Sequence, residues 1–143
     1  MVPNAAAEPC PEGWFDIGGG LGCLFFETRT MNWFGALSNC ATLSPGAHLV
    51  EVYSELEQMT LIELAKGFPE QPWWLGGTDL EEEGKWVWYR TGQSFEYDFW
   101  SPTEPSNASY ENCVEMYMSK NGFWHDTNCQ DVWASICQLS YSS

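Results

Sequence analysis

Apolar positions change their spacing along this chain, and the changes mark out its elements. The stretch "WFDIGGGLGCLFFE" reads as two short strands around a glycine turn. Its glycines lack the strand-to-helix context of a nucleotide-binding loop, so a tight turn is the better reading. In "TMNWFGALSNCATL" the residues Trp33, Ala36, Leu37 and Cys40 fall at helical spacing, with Thr30 as candidate N-cap. "SELEQMTLIELAKG" predicts a second helix. Ser54 and Glu57 form its capping-box pattern, Leu56, Met59 and Leu64 line one side, and Gly67 stands where it would end.

The helical period then disappears. "QPWWLGGTDLEEEGKWVWYRTG" is a set of short apolar runs broken by glycine and acids, while "NCVEMYM" and "WASICQL" read as strands. Between Trp74 and Cys113 lies a long segment with little periodicity. Loops of that length are usually functional or disordered, and the aromatics in this one argue for order. "GAHLVEV" reads as a strand entry, with His48 an ordinary structural histidine. There is no internal repeat. Residues 1–9 read as a loose leader and residues 10–140 as one domain.

At 143 residues the chain is long enough for a real core but not for two. Six cysteines suggest an oxidising compartment and leave fifteen disulfide connectivities open. No run is apolar and long enough to span a bilayer and no signal-peptide pattern is present, so the chain reads as a mature secreted protein.

Twenty Asp and Glu stand against five Lys and Arg, a formal charge of −15. That excludes nucleic acid as a partner and disfavours anionic membranes. Two accounts of the acids stay open: solubility, and a cation site, since hard cations collect carboxylate and amide oxygens. Most of the nine tryptophans, Trp124 among them, read as core. The balance of helix, strand and turn signals predicts an α+β fold stapled by disulfides.

The acids concentrate in two places. "SPTEPSNASYENC" and "FWHDTNC" place Glu104, Glu111 and Asp126 between cysteines, with Pro105 fixing the backbone beside Glu104. With "WWLGG", the order of Cys40, Cys113, Cys129 and Cys137, "EPS" and "WHD", the chain resembles the C-type lectin-like domain family from Cys10 to Cys137. "WWLGG" is similar to the family's W-I-G-L core motif, "EPS" to its E-P-N sugar motif and "WHD" to W-N-D.

The resemblance implies a double-loop domain in which two helices flank antiparallel sheets. It also implies three bridges, Cys10–Cys23, Cys40–Cys137 and Cys113–Cys129, the first being what the long form of the domain adds. It implies calcium too, which would order the long loop and be bound by Glu104, Ser106, Glu111, His125 and Asp126 around a cis Glu104–Pro105 bond. The same residues would hold two neighbouring sugar hydroxyls, favouring mannose-type ligands over galactose.

Ser106 and His125 depart from the motifs, both of which have Asn there. The loop from Glu104 to Glu111 also looks one residue shorter than in the best-known mannose binders. These departures bear on affinity and preference more than on fold. "TDLEEEG" resembles an auxiliary calcium site, with Asp79 and Glu83 joined by Asn107, where the family usually has Asp, and by a shared Glu111. A solvated acidic turn is the competing reading.

Asn107-Ala108-Ser109 is a glycosylation sequon, and a glycan there would crowd the sugar face. The expected function is a secreted, calcium-dependent lectin for surface glycans such as those of microbes. The alternative is a protein-, ice- or mineral-binding domain of the same fold. The acids are better explained as joint cation ligands than as a glycosidase pair, and no zinc-helix or Ser–His–Asp motif is present. A homo-oligomer for avidity would have to use the domain surface, because no heptads are present.

Overall fold

The computed structural model describes residues 10–140, so the leader expected over residues 1–9 lies outside the described residues. The elements run β1 (Phe15–Gly18), β2 (Gly22–Met31), α1 (Trp33–Leu43), β3 (His48–Leu49), α2 (Glu55–Ala65), β4 (Pro72–Thr78), β5 (Val87–Trp88), β6 (Cys113–Tyr117), a 3₁₀ turn (Met118–Lys120), β7 (Phe123–Thr127) and β8 (Trp133–Leu139). The sheet order is β1-β2-β8-β4-β6-β7, with β3 on β8 and β5 on β4. Pairing is antiparallel except between β4 and β8, which run parallel through Trp73↔Ala134 and Trp74↔Ser135. The expected antiparallel sheet is therefore mixed, with its parallel pair between β8 and β4 in the middle of the strand order.

Local chemistry sets most element ends. Gly18 and Gly19 take φ of 83° and 57° at the β1–β2 turn, a backbone region that glycine enters without cost. α1 is capped by Asn32, whose side-chain oxygen accepts from the Gly35 amide at 2.8 Å. The candidate cap, Thr30, lies inside β2, which pairs as far as Met31↔Trp133. α2 is capped by Ser54 as its sequence predicts, accepting from the Glu57 amide at 3.2 Å. Glu57 in turn accepts from the amide of Tyr53 at 2.8 Å.

The face of α2 differs from expectation. Leu56 is 77 % exposed and Met59 is exposed too, while Gln58, Leu61 and Ala65 are buried. Gln58 decides the rotation. Its amide oxygen accepts from Trp124 Nε1 at 2.9 Å, and its nitrogen donates to the Gly122 carbonyl at 3.3 Å. Buried polar groups without such partners are costly, so the helix turns a glutamine inward and leaves a leucine outside.

Two cores lie on the two sides of the sheet. Adjacent residues of a strand face opposite ways, and Trp73 and Trp74 of β4 enter different clusters. Trp74 packs with Trp33 and Cys40 of α1, and Trp73 with Leu61 of α2, Trp88 and Trp124. Bridges join Cys10–Cys23, Cys40–Cys137 and Cys113–Cys129. The last holds β6 to the chain following β7.

The long segment 79–112 is ordered over much of its length by its own aromatics. β5 folds back on β4 through Gly77↔Trp88. Phe95 packs 4.2 Å from Trp88 and 5.6 Å from Trp124 between ring centroids, and Trp86 lies 5.1 Å from Trp100. A Cβ on Gly77 would sit 2.5 Å from the Phe95 ring, so the loop closes onto β4 only because glycine is there. Arg90 also donates twice to Glu51, at 2.8 and 3.0 Å. The expectation that an ion orders the loop thus narrows to its last part, residues 101–112.

Candidate functional site

β7 places Trp124 and Asp126 on the side facing the long loop, where Asp126 lies opposite Val114 of the core. Asp126 is almost wholly buried, and both of its oxygens are taken. Oδ1 accepts from the Ser106 amide at 2.8 Å, and Oδ2 from the Asn107 amide at 2.8 Å. The Ser106 hydroxyl lies 3.0 Å from Oδ2 and also reaches Glu111 Oε1. With one proton, that hydroxyl serves one carboxylate at a time. The Ala108 amide donates to its oxygen at 3.2 Å.

Glu104 completes the group across a cis bond to Pro105. Burial first, then the adjacent Asp126 carboxyl, pushes Glu104 up to about 7. Burial also works to raise Asp126, but the hydrogen bond from Glu104 and those from Ser106 and Asn107 outweigh it and hold Asp126 below the usual carboxylate value. The two carboxyls lie against each other, and the contact raises Glu104 while it lowers Asp126. The other Glu104 oxygen, Oε1, is buried with no partner. Four of the five expected principal residues, Glu104, Ser106, Glu111 and Asp126, are therefore in one cluster.

The fifth, His125, follows the alternation of β7 to the opposite face. There it pairs in register with Glu115 of β6, and its ring meets Tyr117 edge-on at 5.1 Å. Its Nε2 is buried without a partner, and burial lowers its affinity for a proton. Glu115 is a residue that sequence reasoning missed. It is 5 % exposed, with Oε1 unpartnered, and is pushed up to about 8 by burial and then by the charges of Asp131, Glu104 and Glu111. The signal was available in part: "NCVEMYM" is a strand, and a carboxylate two residues after a buried cysteine shares its face.

The second acidic group is partly assembled. Asp79 is buried, and its Oδ2 accepts from the Gly84 amide at 2.8 Å while Oδ1 has no partner. Burial, with the neighbouring Glu83 adding, pushes it up to about 6. Asn107 is committed elsewhere, since its Oδ1 accepts from Trp86 Nε1 at 3.2 Å.

Among the described residues, no three acidic, histidine or cysteine side chains already converge as metal ligands. The donor chemistry nonetheless fits a hard cation, which takes carboxylate and hydroxyl oxygens. Glu104, Glu111, Asp126 and the Ser106 hydroxyl lie together, and one buried carboxylate oxygen lacks any partner.

Comparison with known proteins identifies the family and the fold. The Lectin C-type domain family matches residues 29–139. The chain is 30% identical over 148 residues to a lectin of Pleurodeles waltl, covering 98% of this chain and 81% of that one. Among solved structures, a calcium-independent type II antifreeze protein superposes with a TM-score of 0.80 at 29% identity, covering 93% of this chain and 95% of the other. The cow C-type carbohydrate-recognition domain of CD23, solved in the presence of a GlcNAc2Man3 oligosaccharide, superposes with a TM-score of 0.78 at 31% identity, covering 94% and 98%.

Proposed function

The chain belongs to the Lectin C-type domain family, and from that premise we propose that it is a secreted calcium-dependent lectin whose ligand site is the Glu104–Ser106–Glu111–Asp126 cluster. One observation carries this reading: the Ser106 hydroxyl bridges Glu111 and Asp126, Glu104 lies against Asp126, and the buried Glu104 Oε1 has no partner. Calcium bound there would offer its remaining coordination positions to two neighbouring hydroxyls of a sugar. Glu104 accepts a hydrogen bond from one hydroxyl. The Ser106 hydroxyl donates to the other, where the family motif has a fixed amide. A rotatable hydroxyl discriminates less than an amide, so the preference is mannose-type over galactose, with weak affinity for a single site.

The acids do not read as catalytic. A raised Glu104 beside an ionised Asp126 has the titration pattern of an acid–base pair. However, the two hydrogen-bond directly, whereas glycosidase carboxyls stand roughly 5 Å or more apart with the substrate between them.

Calorimetry with calcium, then with methyl mannoside and methyl galactoside, tests the proposal. Calcium at about 100 times its dissociation constant should stabilise the fold by about 2.7 kcal/mol. Glu104→Ala should abolish sugar binding and weaken calcium, and Ser106→Asn should tighten mannoside binding. Sugar binding that survives a chelator, or survives Glu104→Ala, would place the ligand elsewhere.

A second reading has its own support. Both Asp126 oxygens are already satisfied by protein groups, the loop has an aromatic core, and a calcium-independent antifreeze protein shares the fold. On that reading the chain is a protein-, ice- or mineral-binding domain. Melting curves that superimpose with calcium and with chelator would favour it.

A further inference from the structure

The sequon Asn107-Ala108-Ser109 plays no part in the cluster's proposed chemistry, yet it sits directly on it. Asn107 is exposed, in the left-handed conformation at φ 57°. Its side-chain oxygen accepts from Trp86 Nε1 at 3.2 Å. An indole N–H only donates, so this contact sets the orientation of the amide. Oδ1 faces Trp86, and Nδ2, the other arm of the same planar amide, is directed away from the indole.

The anchor itself is firm. Trp86 is buried and packs against Trp100 at 5.1 Å. The Asn107 amide donates to Asp126 Oδ2, and the preceding Ser106 touches both Asp126 and Glu111. A group attached at Nδ2 therefore leaves the protein one residue from the acid cluster. Three disulfides account for all six cysteines and point to an oxidising compartment, the setting in which such asparagines are modified.

We propose that Asn107 carries an N-linked glycan that stands over the Glu104–Ser106–Glu111–Asp126 cluster and restricts the approach of large ligands. The restriction of ligands rests on the reading of the cluster as a ligand site; the modification itself does not. In the transfer, Nδ2 forms a bond to the anomeric carbon of an oligosaccharide delivered on a lipid pyrophosphate. The sugar–phosphate C–O bond breaks, the lipid pyrophosphate leaves with the bonding pair, and Nδ2 gives up one proton to a base of the transferring enzyme. No oxidation or reduction occurs.

Protein secreted from eukaryotic cells tests both halves, with Ser109→Ala as the informative variant. It removes the hydroxyl the transfer requires but leaves the Asn107 amide and its bond to Trp86 intact. Wild type should weigh one glycan more than Ser109→Ala, and enzymatic release should convert Asn107 to Asp. Shielding is read by chymotryptic cleavage after Tyr110, which is 66 % exposed, in the presence of chelator. Cleavage should be severalfold slower in wild type, and glycan release should restore the rate of Ser109→Ala. Equal masses overturn the modification, and equal cleavage rates overturn the shielding. Mannoside binding is measured separately on the glycan-free Ser109→Ala. Its absence would sink the lectin reading while mass and cleavage still decide the glycan.

Discussion

Glu104 and Glu115 keep protons that an exposed glutamate would lose. Their folded values of about 7 and about 8 stand against 4.5 for an ordinary side chain, with burial the leading cause in both. Across that window the folded chain binds more protons than the unfolded one, so stability falls as pH rises. The contribution is complete below 4.5 and is lost as pH climbs through 7 and 8. Asp126, held below 3.8, acts in the opposite sense, and its share is lost only in more acid solution. In chelator, the melting temperature should therefore decline steadily from mildly acid to mildly alkaline pH. Glu115→Gln should flatten the upper part of that decline, because an amide fills the same space without a charge. Thermal melts of the two proteins across pH give the answer, and a wild-type curve flat over this range would count against both assignments. Sequence could name Glu104 as a site residue. It could not show the coupling to Asp126, which β7 brings from further along the chain.

Helix α2 separates what is local from what is not. Its cap was legible because Ser54 and Glu57 stand three residues apart and bond within one turn. Ser54→Ala should cost about 1 kcal/mol. Its buried face was not legible, because eleven residues with apolar side chains on several sides leave the rotation undetermined. Leu56→Glu, at an exposed position, should change stability by no more than about 0.5 kcal/mol. Gln58→Ala should cost about 2–3 kcal/mol, since it leaves Trp124 Nε1 and the Gly122 carbonyl buried without partners. Urea unfolding of the three variants checks the order. A Leu56→Glu variant as damaged as Gln58→Ala would mean the helix sits the other way round.

Across the whole molecule, the long segment 79–112 is held at its base as well as by its aromatics. Arg90 reaches back to Glu51, which is 2 % exposed and also accepts from the Tyr53 hydroxyl. Arg90→Ala removes both charged donors, leaves the neutral Tyr53 hydroxyl as the side-chain donor to that buried carboxylate, and should cost about 1–3 kcal/mol. Limited proteolysis should then cut within 79–112 faster than in wild type, with the rest of the fold intact. Unchanged stability and unchanged cutting would show that the aromatic packing alone holds the segment.

The cysteine order, the glycine turn, the two helices, the terminal strands and the positions of Glu104, Glu111 and Asp126 were all present in the sequence. Each is a local pattern, or a spacing that a family repeats. Tertiary structure decided the rest. It put β4 parallel to β8, turned Gln58 inward and Leu56 out, filled the long segment with Trp88, Phe95 and Trp100, and set His125 on the far face beside an unforeseen buried Glu115. Such outcomes depend on which groups from distant parts of the chain can satisfy one another once water is excluded. A linear pattern records what each residue prefers, but a buried charge or amide takes its place from the partners that folding brings to it.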